Sequence, residues 1–372
     1  MSFTYPKRGS RLKPLLQFLT VALCACSNGG TVSSLGDGGD AALGPGSFTK
    51  FTYATNPFPH RDYYVYVPTS LPAGPVPLVV YLHGCQQTAN DAALGTLWNQ
   101  KAEAFGFIVV YPEQRVTSAN DPSSGTDGNA GHCWNWYLPE NQSRDAGEAA
   151  TIAGITRDVM AAHDIDPNRV FVMGISAGGA MAAVMGAAYP DLYAALGIDA
   201  GVAYQGDSSG AAAARAMGTF ARVMPVVGIQ GTLDEVVVFP AGATATEQWL
   251  GTDDLVDDGA ANNSVSHQPA SIENHGVDAS MLANIGTIGD LCITPPTDVP
   301  CIGAALGLNE YPHTVAHYVD NAGQPLIDFW IIHGLGHTYP GGSRNGNFTD
   351  PIGPSATDVT YDFFMAHPRT AP

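Results

Sequence analysis

The stretch Arg169-Val-Phe-Val-Met-Gly-Ile-Ser-Ala-Gly-Gly-Ala-Met181 decides the architecture. Arg169–Met173 is a short apolar run of the kind that forms a buried strand. Gly178 to Ala188 is small and apolar, as a tightly packed helix would be. Between them, G-x-S-x-G sets Ser176 in a tight turn from strand to helix, with glycines on both sides so that a strained backbone clears its neighbours. That makes Ser176 the candidate nucleophile. The same pattern recurs at Gly206-Asp-Ser208-Ser-Gly210, and with 43 glycines one chance match is unsurprising. No strand precedes Ser208 and no amphipathic helix follows it, so it reads as a loop residue.

Working outward, short apolar runs alternate with helical periods from about residue 48. Leu78–Leu82, Phe107–Tyr111, Pro225–Ile229 and Leu326–Ile332 read as strands. Residues 91–105, 147–162 and 354–367 read as helices, the second carrying Ile152, Ile155 and Val159 on one face. Asp166-Pro167 reads as a turn. Alternation of this kind predicts an α/β fold with a mostly parallel central sheet and helices on both faces. Two stretches break the rhythm: 205–222, rich in Gly, Ala and Ser, and 251–310, which reads as a long insertion before the candidate base and as a lid, binding loop or surface excursion.

A serine hydroxyl is a poor nucleophile until a base takes its proton. In this arrangement the partners follow in the order Ser, acid, His. Asp234 lies just past a strand and a turn; Asp254, Asp257 and Asp258 compete but sit in a solvated acidic stretch. The base should follow a late strand. His337, beyond Gly334 and Gly336, is placed to present its ring, whereas His333 directly follows the strand and reads as buried support. His313 and His317 read as structural. The developing oxyanion needs two backbone N–H groups. Ala177 supplies one, and the loop His83-Gly84-Cys85-Gln86-Gln87 the other, from Cys85 or alternatively Gln86. Trp136, Trp134 and Tyr339 are the candidate substrate walls, with core packing the alternative for Trp134.

The chain has 372 residues and a formal net charge of −19. An apolar content of 45% excludes disorder as the main state, and the acid excess argues against nucleic acid. Lys7, Arg8, Arg11 and Lys13 precede an apolar run from Leu15 to Ala25, which reads as a secretory signal too short to span a bilayer. Leu23-Cys-Ala-Cys26 resembles a bacterial lipoprotein box, with Cys26 the candidate lipidation site. Cys24 fits worse after bulky Leu23, and an ordinary secretory signal is the alternative. The expected organisation is a signal at 1–25, a flexible tether at 26–47 and one catalytic domain at 48–372, so any membrane contact would run through the N-terminal lipid alone. Export would leave 34 acidic residues against 11 basic, or −23, a balance that favours neutral substrates over polyanions. Four cysteines then remain in an oxidising compartment, with three connectivities open. Cys292 and Cys301 suit a local clip, which leaves Cys85 with Cys133 or a free thiol at Cys85. The CxxC and HExxH spacings of zinc sites are absent, and the chemistry requires neither metal nor organic cofactor.

Pro77-Leu-Val-Val-Tyr-Leu-His-Gly-Cys-Gln-Gln-Thr88, Gly131-His-Cys-Trp-Asn-Trp136, Gly174-Ile-Ser-Ala-Gly-Gly-Ala-Met181, Gly231-Thr-Leu-Asp234 and Gly336-His-Thr-Tyr-Pro-Gly-Gly342 together resemble the poly(3-hydroxybutyrate) depolymerase-type esterases. These are α/β hydrolases whose relatives include feruloyl and acetylxylan esterases. The likeness spans roughly residues 48–366. It implies a triad at Ser176, Asp234 and His337, an oxyanion loop at His83–Cys85 and a Cys85–Cys133 bridge. Many depolymerases of this type carry a substrate-binding domain after a linker. Only Pro368–Pro372 follow the last helix here, so amorphous polymer, oligomers or soluble esters are the expected substrates rather than crystalline granules.

Overall fold

Val76-Pro-Leu-Val-Val-Tyr-Leu82 has no alternation of polar and apolar residues, so a strand made from it must be covered on both faces. The computed structural model, which describes residues 43–54, 60–117, 128–276 and 310–369, buries all seven. The elements in chain order are β1 (Ser47–Tyr53), β2 (Arg61–Val67), β3 (Val76–Leu82), α1 (Ala89–Thr96), α2 (Trp98–Phe105), β4 (Ile108–Pro112), α3 (Gly147–Ala162), β5 (Ile165–Ile175), α4 (Ala177–Ala188), β6 (Leu196–Asp199), α5 (Ala211–Met217), β7 (Val226–Gly231), α6 (Phe239–Asp257), β8 (Ser271–His275), β9 (His313–Val319), β10 (Pro325–Ile332) and α7 (Ala356–Ala366).

One ten-stranded sheet runs β1-β2-β4-β3-β5-β6-β7-β10-β9-β8. From β4 to β10 every pairing is parallel, and both edges are antiparallel. Alternate side chains of β3 enter separate cores. Leu78, Val80 and Leu82 pack with α3, α4, α5 and α6 on one face. Val79 and Tyr81 pack with α1, α2 and α7 on the other. The C-terminal ends of the parallel strands therefore share one rim of the sheet, where open α/β sheets hold their ligands. Among the described residues, no helix is long and apolar enough to cross a membrane.

Several local expectations change. The helix expected over 91–105 is two, because Leu97 adopts the left-handed region at φ 65°. The strand expected from Arg169 begins at Ile165 and takes in Asp166-Pro167, with Asn168 N–H and the Arg169 guanidinium bonding to Asp166. The 205–222 stretch contains α5. The 251–310 stretch is not all loop: α6 continues to Asp257, and Ser271–His275 forms the edge strand β8. Residues 277–309, with Cys292 and Cys301, lie outside the described residues, as does Cys26.

Gly210 at the start of α5 has φ +78°, and a Cβ there would stand 2.1 Å from Thr252 N on α6. Gly210→Ala is expected to destabilise the fold by about 1–3 kcal/mol, the usual cost of overpacking, readable by denaturant unfolding. A change within about 0.5 kcal/mol would contradict this close contact.

Candidate active site

Ser176 lies between β5 and α4, at the N-cap of α4, with φ 58° and ψ −122°, a conformation that ordinary residues avoid. Crowding explains why the flanking positions must be glycine. A Cβ on Gly174 would lie 2.5 Å from both Leu82 O and Gly178 C, and one on Gly178 would lie 2.0 Å from Leu82 O. The turn is also held from β6, where Ser176 N–H donates to Asp199 O at 2.9 Å. Ser208, by contrast, is exposed on an irregular loop.

Asp234 follows β7 and is nearly buried, 4% exposed. Its Oδ1 accepts from Val236 N–H at 2.9 Å and Val237 N–H at 2.8 Å, so the loop after β7 wraps the carboxylate. Its Oδ2 accepts from Gln230 Nε2 at 3.2 Å and lies 2.8 Å from His337 Nδ1. A carboxylate only accepts, so Nδ1 carries the proton of this bond and Nε2 is left clear of Asp234. The loop carrying His337 leaves β10, the neighbour of β7. Asp254 is spent otherwise, holding the 263–265 turn through Asn263, Ser264 and Val265. His333 meets Thr314 Oγ1 at 2.9 Å, and burial beside His313 lowers its pKa. His313 stacks between His275 and Trp330, while His317 Nδ1 lies 2.7 Å from Asp328.

The 83–87 loop lies against Ser176. A Cβ on Gly84 would come within 3.3 Å of Ser176 Cβ. Gln114 N–H donates to His83 Nε2 at 3.0 Å, so the His83 proton sits on Nδ1 and is donated to Gly84 O at 2.8 Å. The Gly84 carbonyl is thereby turned to the His83 ring, and the planar trans peptide turns Cys85 N–H the other way. Among the described residues no acceptor meets Cys85 N–H, and Ala177 N–H is orphaned at the first turn of α4. Gln86 N–H is not available as the alternative donor, because Gly131 O takes it at 2.9 Å. Cys85 and Cys133 form a disulfide.

Two expected substrate walls are corrected. Trp134 and Tyr339 are both fully buried. Trp134 lies under Arg61, 5.4 Å from ring to guanidinium, and beside His83. Tyr339 packs on Tyr81 and bonds Thr357 Oγ1 at 2.7 Å. Trp136 is partly exposed beside exposed Tyr137. Sequence reading missed Asp199, a buried carboxyl at the end of β6. Burial, and then the charge of Asp234, hold its pKa well above the usual carboxylate range.

A parallel sheet with a Ser elbow after β5, an acid after β7 and a histidine after β10 is the α/β-hydrolase architecture. The chain belongs to the esterase PHB depolymerase family, whose model matches residues 61–279. It is 31% identical over 288 residues to a poly(3-hydroxyalkanoate) depolymerase C of Paucimonas lemoignei, covering 77% of this chain and 60% of that one. It is 34% identical over 168 residues to an acetylxylan esterase A of Emericella nidulans, covering 45% of this chain and 49% of the relative. The chain thus spans about half to three fifths of these relatives' lengths. A solved acetyl xylan esterase from Aspergillus awamori shares the fold, with a TM-score of 0.57 and 20% identity over 86% of this chain and all of that one.

Burial pulls the His83 pKa down to about 3, from 6.5. Below pH 6.5 the unfolded chain binds a proton that the folded chain refuses, so this residue's contribution to stability falls as pH drops toward 3. The His83 ring resonances of the folded protein are expected to stay constant from about pH 4 to 8; a midpoint near 6 would show that the ring is not buried neutral.

Proposed function

We propose that the chain is a serine carboxylic-ester hydrolase working through an acyl-enzyme on Ser176. The observation that carries this reading is the Asp234–His337 pair, joined at 2.8 Å at the same rim of the sheet as the Ser176 elbow. His337 Nε2 takes the proton from Ser176 as the hydroxyl attacks the ester carbonyl. The N–H groups of Ala177 and Cys85 receive the oxyanion. His337 then protonates the leaving alkoxide and activates the water that releases the acid. Asp234 holds the ring tautomer and stabilises the imidazolium. None of these steps calls on a metal or organic cofactor.

The substrate we favour is a short-chain hydroxyalkanoate polyester or its oligomers. The depolymerase relative supports it, as does the partly exposed aromatic pair Trp136 and Tyr137, shortly after the Cys133 that is bridged to Cys85. A second reading, release of acetate or ferulate from plant cell-wall polysaccharide, draws on the acetylxylan esterase and on a feruloyl esterase B of Neurospora crassa, 35% identical over 144 residues. A non-catalytic binding lipoprotein is a third, and it leaves the Ser176, Asp234 and His337 set without a purpose. We further read residues 1–25 as an export signal, Cys26 as a lipidated residue and 26–47 as the tether of a catalytic domain at 48–372, which places the protein outside the cell or on its surface. Loss of radiolabelled palmitate in Cys26→Ala tests the anchor; equal labelling of the variant contradicts it.

A fluorophosphonate probe is expected to label the wild type and not Ser176→Ala, and Asp234→Asn is expected to lower kcat by about 10⁴-fold. Absence of label on the wild type refutes the esterase reading. On a panel of 3-hydroxybutyrate oligomers, amorphous polymer, methyl ferulate and acetylated xylan, hydroxybutyrate products are expected. Ferulate or acetate release without them selects the second reading. Reduction of Cys85–Cys133 is expected to lower activity, and full activity with both thiols free would show that the bridge does not hold the loop.

A further inference from the structure

Beneath the 83–87 loop lies a buried polar hub that the proposed chemistry does not use. Glu148, the second residue of α3, is 2% exposed. A carboxylate buried so deeply persists only with donors and a counter-charge around it, and it has both. Its Oε2 accepts from Asn135 N–H at 2.7 Å. Its Oε1 accepts from Asn135 Nδ2 at 3.1 Å and from Gln114 Nε2. The Arg61 Nη2 stands 3.7 Å away, its guanidinium lying over the Trp134 ring.

Two routes run from this one carboxylate to Cys85. The first goes through Gln114, whose main-chain N–H donates to His83 Nε2, and from His83 Nδ1–H to Gly84 O, which sets the peptide plane of Cys85. The second goes through Asn135, whose Oδ1 accepts from Asn129 Nδ2 at 2.7 Å. Asn129 in turn grips Cys133 by both main-chain groups, donating to its carbonyl at 2.7 Å and accepting from its N–H at 3.1 Å. The disulfide carries that grip across to Cys85. Gln114 Nε2 also reaches Cys133 O at 2.9 Å, bracing the two routes against each other. The linkages close into a ring with Glu148 opposite Cys85.

We propose that Glu148 is a positioning residue for the oxyanion hole, fixing the direction of Cys85 N–H through both halves of this ring. The inference rests on the reading of Cys85 as an oxyanion donor. A donor is useful only where it meets the charge of the transition state, and misplacement by about 1 Å costs rate rather than substrate affinity. Glu148 touches no substrate. Its effect reaches the reaction through the plane of one peptide.

The test is Glu148→Gln, which keeps the side-chain shape and turns one acceptor into a donor facing the donors of Asn135 and Gln114. On p-nitrophenyl acetate, with each rate referred to Ser176 sites titrated by fluorophosphonate, kcat is expected to fall at least about tenfold while KM stays within about twofold. The Ki of a trifluoromethyl ketone, whose hemiketal oxyanion uses the same N–H groups, should rise by the factor that kcat loses. Gln114→Met, which removes the side-chain link and keeps the N–H to His83, should show the same signature in smaller measure and decides the matter if Glu148→Gln does not fold. The proposal is overturned if a folded variant keeps kcat within about twofold of wild type, or loses activity through KM with the ketone Ki unchanged. Ser176→Ala is assayed alongside: wild-type rates in that variant would defeat the esterase reading itself, whatever the Glu148 variants do.

Discussion

No side chain fits where the turn after β5 crosses the end of β3. The Leu82 carbonyl stands 2.0 Å from a Cβ placed on Gly178 and 2.5 Å from one placed on Gly174. That backbone-to-backbone approach forces two glycines, accompanies a positive φ at Ser176 and brings the loop after β3 against the base of its side chain. One contact between adjacent parallel strands thus places the Ser176 hydroxyl and the 83–87 loop in a single locked unit. The strain at Ser176 is sustained because β6 grips its N–H and α4 is buried along its whole length.

The other half of the site is electrostatic. β7 and β10 are neighbours, so the loops that leave them meet, and Asp234 is wrapped by main-chain donors before it reaches His337. A carboxylate held by Val236, Val237 and Gln230 has little freedom left, which is what an orienting group requires. Asp199 lies close by, and burial, then the charge of Asp234, push its pKa well above the usual carboxylate range. On the opposite flank, His83 is kept neutral by burial and serves as a fixed donor to Gly84 O. The candidate site therefore draws its order from buried, hydrogen-bonded groups, while Ser176 and His337 retain partial exposure.

Much of this was legible in the sequence where the signal was local. The elbow shows itself within ten residues, since strand, glycines and small-residue helix adjoin Ser176. Asp234 and His337 were each marked by a preceding strand and a glycine-bearing turn. What escaped was set by tertiary context. Leu97 takes a left-handed conformation that a leucine does not announce, so α1 and α2 read as one helix. β6 spans only four residues, one of them glycine, and its Asp199 went unnoticed. Trp134 and Tyr339 are aromatic in either role, and only burial separates a core residue from a substrate wall. Arg61, Gln114, Asn135 and Glu148 lie on four different segments, and nothing in their spacing foretells that they converge beneath Cys85.

On the proposed mechanism, Ser176 carries the acyl group during turnover. The most direct measurement is acid quenching of the protein during hydrolysis of an excess of p-nitrophenyl butyrate, followed by intact-mass and peptide mass spectrometry. A butyryl adduct on the peptide containing Ser176, absent from Ser176→Ala, is the result expected. Hydrolysis with no adduct on Ser176 of the wild type, or an adduct at Ser208, would contradict this role.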